Sequence, residues 1–234
     1  MVCPIETIDV SAYRIPTDSP ESDGTLAWEA TTLVLVELAA EGKRGLGFTY
    51  ADASAARLIS DQLADVVRHR DALDIPGIWE AQVRAVRNLG RPGIASTAIA
   101  AVDIALWDLK ARLLQLPLVK LLGAVRDSIP VYGSGGFTSY SARQLREQLG
   151  EWAAIGMRRV KMKVGRDPQN DLQRVETARE AIGASVELFV DANGAYTRKQ
   201  ALAQAEEFAR LGVTWFEEPV SSDDLCGLRL LRDR

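Results

Sequence analysis

Apolar and polar positions follow two different periods in the first half of the chain. Three early segments are rich in β-forming residues and predict strands: Thr7 to Arg14, Ala30 to Leu38 and Gly45 to Tyr50. A polar, turn-rich stretch from Pro16 to Gly24 separates the first two, and Glu41-Gly42-Lys43 supplies a turn before the third. Apolar residues then recur at helical spacing and predict three helices: Ala56 to Val67, Ile78 to Leu89 and Ile94 to Leu114. Strands followed by helices predict an α+β domain.

A repeat of one strand and one helix fills the rest of the chain. Four short β-like runs start at steps of 29, 27 and 27 residues, at Val131, Val160, Glu187 and Thr214. Helical segments follow the first three runs, at Ala142 to Ala154, Asp171 to Ile182 and Arg198 to Leu211. A further helix begins near Leu225. This regular repeat predicts parallel strands joined by helices. A doubly wound sheet and a (β/α)8 barrel both fit it, although a full barrel needs about eight such units.

Composition and charge exclude several classes of function. Hydrophobic residues make up 47% of the 234 residues and charged residues 26%, as in globular proteins, and the formal net charge is -4. An acidic chain has no general attraction for nucleic acid or for an anionic membrane, so we expect neither as a partner. The N-terminal residues lack the pattern of a signal peptide, and no apolar run approaches the length of a membrane span. Cys3 and Cys226 form no metal-ligand spacing, and we expect a cytoplasmic protein with free thiols.

Charged residues fall at the ends of three of the predicted parallel strands. Lys161 and Lys163 lie on one face of their strand, Asp191 ends the next strand, and Glu217 ends the last. In a parallel barrel all these ends lie on one rim, so we expect the four side chains to converge. Carboxylates without His or Cys favour a hard cation such as Mg²⁺ over zinc. A lysine acts as a base only after losing its proton, and a second positive charge nearby, Lys161 beside Lys163, favours that loss.

Each of these motifs has a simpler explanation when taken alone. Alternating lysines are typical of a solvated edge strand, Asp191-Ala192-Asn193-Gly194 of a turn, and Glu217-Glu218-Pro219 of a strand stopped by proline. Gly133-Ser134-Gly135-Gly136 lacks the Lys-Ser/Thr of a phosphate-binding loop and predicts a flexible loop at the rim. The occurrence of three motifs in register on successive strands favours a site.

Three motifs together carry a resemblance to a known family. Val160-Lys161-Met162-Lys163, Val190-Asp191-Ala192-Asn193-Gly194 and Trp215-Phe216-Glu217-Glu218-Pro219 resemble the mandelate racemase and muconate lactonizing enzyme branch of the enolase superfamily. Residues 98 to 123 resemble the helical end of that family's capping domain. The resemblance implies an α/β fold: an α+β capping domain over residues 1–125, then the first half of a (β/α)7β barrel of the TIM type over residues 126–234.

The resemblance also implies a role for individual residues. Lys163 matches the family's base, and Lys161 matches the lysine that helps to hold the substrate carboxylate. Asp191 and Glu217 match two of the three Mg²⁺ ligands, and Asn193 matches a polar group near the metal or the substrate. The segment from Pro16 to Gly24 and the segment near Tyr50 match loops of the capping domain that close over the substrate.

The function implied is the Mg²⁺-dependent removal of the proton α to a substrate carboxylate, through an enediolate. The outcome is either dehydration of a sugar acid or a change of configuration by racemisation or epimerisation. The full-length protein is expected to be a homo-oligomer that binds a small carboxylate. The third metal ligand and the opposing acid/base are expected beyond Arg234, and the only histidine, His69, does not match either by position. We therefore expect residues 1–234 alone to bind Mg²⁺ poorly and to be inactive.

Two alternatives belong to other classes of function. In a Schiff-base barrel lyase, Lys163 would attack a substrate carbonyl, although paired carboxylates have no evident use there. In a truncated fragment without catalysis, the chain would have at most a binding or assembly role; the segment from Leu228 to Arg234 reads as an interrupted amphipathic helix.

Overall fold

The structure, a computed structural model that describes residues 2–234, contains two separate sheets. The chain divides into two units, and each has its own apolar core. The first unit contains the residues up to Pro16 together with Ala30–Asp127, and the second contains Thr17–Glu29 and Ser128–Arg234.

The sheet in the N-terminal part of the chain has three strands in the order β1–β2–β3: β1 (Thr7–Ser22), β2 (Ala27–Ala40) and β3 (Lys43–Tyr50). β2 and β3 are antiparallel and are joined by the two-residue turn Glu41-Gly42, where both residues have positive φ angles of 48° and 68°. Such a turn matches the right-handed twist of the flanking strands, as the sequence predicted at this place.

The helices of the first unit cover the apolar face of this sheet. Val34, Val36, Leu38 and Ala40 alternate along β2 and are fully buried in the core. The longest helix, α4, packs on β3. The elements are α1 (Ser54–Leu58), a π-helical turn (Ile59–Leu63), α2 (Ala64–Val67), α3 (Ile75–Ala85), α4 (Ile94–Leu113) and α5 (Leu118–Leu121). Among residues 2–234 no helix is both long and apolar enough to cross a membrane.

The prediction of a turn-rich stretch from Pro16 to Gly24 was wrong, because β1 continues to Ser22. β1 is an edge strand, where proline is tolerated because one row of its backbone groups has no partner strand. The turn is confined to the next residues, where the carboxylate of Asp23 accepts hydrogen bonds from the backbone N–H groups of Thr25 and Leu26, both at 2.7 Å. In the second unit this hairpin tip is held by Thr138, whose N–H donates to the Ser22 carbonyl at 2.8 Å.

The second sheet is parallel and its strands follow one another in sequence order. Its strands are β4 (Gly133–Gly135), β5 (Arg159–Lys163), β6 (Glu187–Asp191) and β7 (Val213–Glu217). The accompanying helices are α6 (Ala142–Ala154), α7 (Asp171–Ile182), α8 (Arg198–Arg210) and α9 (Leu225–Arg232). A doubly wound sheet reverses its strand order, whereas a barrel does not, so the order β4–β5–β6–β7 decides for a partial barrel. The predicted fold class is confirmed.

β4 lies two residues later than predicted. The sequence predicted a strand over Val131 to Gly133 and a flexible loop over Gly133 to Gly136, but Gly133–Gly135 is itself the strand. The glycines are required by α6, which packs directly on β4: a Cβ at Gly133 would lie 2.4 Å from the Trp152 ring, and one at Gly135 2.4 Å from Gln148 Oε1. Here glycine marks a close approach of helix to strand rather than a loop.

Candidate active site

The charged strand ends predicted from the sequence are direct neighbours in the parallel sheet. Lys163 of β5 pairs with Asp191 of β6, and Asp191 pairs with Glu217 of β7. Adjacent strands are about 4.8 Å apart, so the three side chains leave one edge of the sheet side by side. Lys161 lies two residues earlier on the face that Lys163 shares.

The four side chains form one network of ion pairs centred on Asp191. Lys163 Nζ donates to Asp191 Oδ2 at 2.6 Å. Lys161 Nζ donates to the same oxygen at 3.1 Å and to Glu217 Oε2 at 2.7 Å. The structure thus brings together all four residues that the sequence placed at the centre of the site.

Burial makes these charges unusually dependent on one another. The side chain of Asp191 is 2% exposed and that of Lys161 is 7% exposed, whereas Glu217 is 32% exposed. A buried charge is costly unless it is paired, and two ammonium groups balance two carboxylates here. Removing any one member would leave an uncompensated charge in a protected environment.

The pKa shifts follow from the same contacts. Burial by itself raises the pKa of Asp191, but hydrogen bonds from Lys163, the backbone N–H of Asn193 and Lys161 outweigh it, so the pKa is lowered. Burial likewise acts to lower the pKa of Lys161, but its hydrogen bonds to Glu217 and Asp191 prevail, so the pKa is raised. Asp191 and Lys161 are therefore both ionised near neutral pH.

Tyr132 is a neighbour of the site that sequence reasoning missed. Lys161 Nζ lies 5.5 Å from the centre of the Tyr132 ring, within range of a cation–π contact. The Tyr132 ring meets Phe189 edge to face at 5.6 Å. The one sequence signal was its place just ahead of β4, which gives no indication that its ring meets a lysine of the neighbouring strand β5.

Asn193 and Tyr50 occupy different places from the four central residues. Asn193 follows β6 with a positive φ of 49°, and its N–H donates to Asp191 Oδ1 at 2.9 Å. Its side-chain amide donates to Glu218 Oε2 at 3.4 Å. Tyr50 is the last residue of β3 in the first unit, is exposed, and packs edge-on against Phe48. The roles of Asn193 and Tyr50 toward a substrate stay predictions.

The carboxylates of Asp191 and Glu217 fit a hard divalent cation. Oxygens of both contact the single ammonium group of Lys161, so both carboxylates already point toward one positive charge. With oxygen donors and no His or Cys, this pair suits Mg²⁺ better than zinc. In the part of the chain that the structure describes, no group of three or more His, Cys, Asp or Glu residues is arranged to hold a metal ion.

Comparison with known families gives two matches that together cover most of the chain. The model of the mandelate racemase / muconate lactonizing enzyme N-terminal domain matches residues 8–123, and the model described as enolase C-terminal domain-like matches residues 144–234. The chain is 36% identical to 3,6-anhydro-alpha-L-galactonate cycloisomerase of Streptomyces coelicolor, over 98% of this chain and 66% of that protein. It is 32% identical to L-talarate/galactarate dehydratase of Salmonella typhimurium, over 95% of this chain and 59% of that protein.

Solved structures give the same result. A mandelate racemase/muconate lactonizing enzyme-like protein from Rubrobacter xylanophilus superposes with a TM-score of 0.97 at 60% identity, over 99% of this chain and 65% of that chain. A racemase from S. coelicolor with bound magnesium superposes with a TM-score of 0.91 at 37% identity, over 95% and 64%. Magnesium is therefore the metal found in related structures, as the sequence predicted. The chain spans 66% and 59% of the length of the two curated relatives, the cycloisomerase and the dehydratase.

Proposed function

Because this chain belongs to the mandelate racemase and muconate lactonizing enzyme branch of the enolase superfamily, we propose that it carries the proton-abstracting face of a Mg²⁺-dependent enzyme acting on carboxylic acids. The observation that supports this most directly is the register Lys163–Asp191–Glu217 across three parallel strands, with Lys161 beneath it. It places one candidate base beside two candidate metal ligands at the same sheet edge.

Lys163 is the proposed base. Its side chain lies at the carboxyl end of β5 and is 14% exposed, so it is largely buried but still in contact with solvent. Both lysine nitrogens contact Asp191 Oδ2, at 2.6 and 3.1 Å, so they are at most about 5.7 Å apart. In the proposed reaction the α-proton passes to Lys163 Nζ, and Lys161 lies close enough to face the same substrate.

Lys161 is proposed to hold the substrate carboxylate rather than to exchange protons. Burial acts to lower the pKa of Lys161, but its hydrogen bonds to Glu217 and Asp191 outweigh burial, so the pKa is raised and the side chain is cationic near neutral pH. The Tyr132 ring and the packing around β5 hold its ammonium group in place, so the position of the charge is set before the substrate binds. A fixed charge stabilises negative charge on a carboxylate without the cost of reorganising solvent.

Asp191 and Glu217 are the residues that would hold Mg²⁺. When bound, that ion supplies the positive charge that stabilises the substrate carboxylate as its α-carbon loses a proton. The backbone N–H of Asn193 orients Asp191 through its second oxygen, Oδ1, which leaves Oδ2 directed at the site.

We propose a sugar acid as the substrate class. The relatives at 36% and 32% identity act on a sugar-derived acid and on two sugar diacids, and other relatives include arabinonate and L-rhamnonate dehydratases. Dehydration and isomerisation share the abstraction step. They differ in the group that acts on the opposite side of the substrate. The four residues of this site lie together at one edge of the sheet, so they do not distinguish the two reactions.

The test is to incubate the intact enzyme that carries this chain with Mg²⁺ in D2O and to follow four acids by NMR: galactarate, L-talarate, arabinonate and L-rhamnonate. We expect deuterium at the α-carbon, or a 2-keto acid product, for at least one of them. No exchange and no product with any acid, in a preparation that binds Mg²⁺, would overturn the proposal. Trapping of a substrate carbonyl on Lys163 by borohydride would also overturn it, in favour of a Schiff-base lyase.

A further inference from the structure

The first turn of α7 contacts the loops that follow three neighbouring strands. Arg174 donates to the carbonyls of Phe137 and Tyr140, each at 2.9 Å, and more weakly to that of Gly136 at 3.4 Å. These carbonyls belong to the loop after β4. Asp171, the first residue of the same helix, contacts the loops after β5 and β6.

Asp171 is buried and binds two groups through one oxygen. Its Oδ2 accepts hydrogen bonds from the backbone N–H of Gly165 at 2.8 Å and from the hydroxyl of Tyr196 at 2.5 Å. Asp171 is 1% exposed, and its other oxygen, Oδ1, has no hydrogen-bond partner in the protein. A buried carboxylate with an unsatisfied oxygen costs stability, so its presence calls for an explanation other than packing.

These contacts lie on both sides of the proposed base. Lys163 donates its backbone N–H to the Gly136 carbonyl at 3.1 Å, and Gly136 is one of the residues that Arg174 holds. Gly165, which Asp171 holds, comes two residues after Lys163. Between them, the N–H of Val164 donates to the carbonyl of Asp191 at 2.9 Å, which ties the end of β5 to the end of β6.

We propose that Asp171, Arg174 and Tyr196, which we call the α7 anchor, are positioning residues that fix Lys163 opposite Asp191. This inference rests on the proposed function. None of the three lies among the four residues of the site network, and they act through the loops that carry those residues. Tyr196 couples the anchor to the loop after β6, five residues beyond Asp191.

The physical reason is that the rate of proton transfer depends steeply on the positions of the reacting groups. A shift of about 1 Å in a reacting group can lower a rate by about 100-fold. A lysine side chain has many rotamers, so the direction of its strand end decides where Nζ lies. An anchor that joins three loops through one helix turn restricts that direction more than any single loop contact does.

Tyr196→Phe is the sharpest variant, because it removes one hydroxyl and keeps the ring. In the intact enzyme we expect amide hydrogen exchange at Gly165, and across residues 190–196, to rise by at least about 10-fold as these amides open more often. We expect kcat for α-proton exchange to fall by about 10- to 100-fold, with KM changed by less than about threefold. Asp171→Asn keeps an oxygen that can accept both hydrogen bonds and should retain the protection of Gly165, whereas Asp171→Ala should lose it.

Arg179→Met is the matched control, because Arg179 lies on the same helix and anchors loops at the other end of the strands. It donates to the carbonyls of Gly183, Val186, Leu211 and Gly212 at 2.7 to 2.9 Å. We expect this variant to unfold at a lower temperature but to keep the kcat of the folded enzyme.

Two results would overturn the inference. One is wild-type hydrogen exchange at Gly165 in Tyr196→Phe; the other is an equal fall of kcat in Tyr196→Phe and Arg179→Met, which would make the anchor a matter of stability alone. Hydrogen exchange is measured without substrate, so it tests whether the α7 anchor restrains these loops even if the wild type turns over no acid. Absence of turnover by the wild type would count against the proposed function instead.

Discussion

Lys161 shows how strongly the surroundings of a residue decide what its charge does. On an edge strand two alternating lysines would point into solvent, but in β5 they are flanked by Val160, Met162 and Val164, all fully buried. The covered strand turns Lys161 into a buried cation that needs two carboxylates. The sequence allowed this conclusion, because the flanking apolar residues are local.

Asp191 is the residue on which the proposed metal site depends most. Asp191→Asn keeps the shape of the side chain and an oxygen for the N–H of Asn193, but it removes the negative charge. We expect the Kd for Mg²⁺ to rise by at least about 10-fold, since affinity for hard cations follows the charge of the ligands. Calorimetric titration measures this, with the exposed Asp223→Asn as a control for net charge; equal Kd values in the two variants would remove Asp191 from the site.

Asp103 in α4 gives a test of burial that is independent of the function. Burial raises the pKa of this half-buried carboxyl, and a hydrogen bond with Trp107 offsets part of the rise. Because the pKa is raised on folding, the charge costs stability above the folded pKa, and this cost disappears as the pH falls through that value. We expect Asp103→Asn to have a higher Tm than the wild type at pH 7.

The difference in Tm between Asp103→Asn and the wild type should narrow as the pH is lowered from 7 toward about 4, where a free aspartate titrates. Thermal unfolding at several pH values measures it. Asp127→Asn, at an exposed position, controls for the loss of one charge. A difference in Tm that widens at low pH would contradict the raised pKa of Asp103.

Other residues of the site region could not be predicted, because their contacts are distant in the sequence. Alternation and strand ends indicated Lys161, Lys163, Asp191 and Glu217. Asp171 looks like any first residue of a helix, and only folding brings Tyr196 to it from 25 residues away. Local patterns report the face on which a residue lies, not the partner that it meets.

Among the elements, β4 shows where a sequence rule fails. Glycine-rich segments usually mark loops, but in β4 the glycines admit the Trp152 and Gln148 side chains of α6. The information that decides between loop and strand therefore lies in α6, not in the segment itself.

Gly133→Ala tests this close approach. Its Cβ would lie 2.4 Å from the ring of Trp152, so we expect a loss of about 1–3 kcal/mol in the free energy of unfolding, as for an overpacked core. The matched control is Gly150→Ala in α6, where the nearest atom would lie at 3.6 Å and helix propensity favours alanine by about 1 kcal/mol. Urea denaturation compares the two, and equal stabilities would show that β4 has room for a side chain.

Helices that begin with a capping motif were predicted most accurately. α6 has its predicted bounds because Ser141 and Gln144 form a capping box, and Thr197 and Gln200 do the same at the start of α8. α3 was placed three residues too late: the periodic apolar residues begin at Ile78, but the helix begins at Ile75 after the Asp74 cap. The sequence predicts β1 too short, because proline is typical of turns and β1 contains Pro16 and Pro20.

At the scale of the whole molecule, family membership was predicted from three motifs, and the fold class followed from it. Strand spacing alone left a barrel and a doubly wound sheet open, and only the strand order separates them. The substrate and the stereochemical course cannot be predicted in this way, because they depend on groups outside the four-residue network.

The small number of candidate metal ligands among residues 2–234 leads to a prediction for the 234-residue polypeptide. The described residues contain no cluster of three potential metal ligands, and the chain spans about two-thirds or less of its relatives' length. We expect this polypeptide by itself to bind Mg²⁺ only weakly, with a Kd on the order of millimolar, and to turn over no sugar acid. Turnover of any such acid by the purified 234-residue chain would contradict this.

The measurement that tests the central claim most directly is α-proton exchange with D2O by the intact enzyme and its Lys163→Ala variant. A single base on one side of the substrate should be indispensable, so we expect exchange to fall by at least about 1,000-fold in the variant. Affinity for Mg²⁺ should be kept or increased, because a positive charge next to Asp191 is removed. Lys199→Ala, at an exposed position in α8, should exchange like the wild type. Exchange that persists in Lys163→Ala at the wild-type rate would contradict the account.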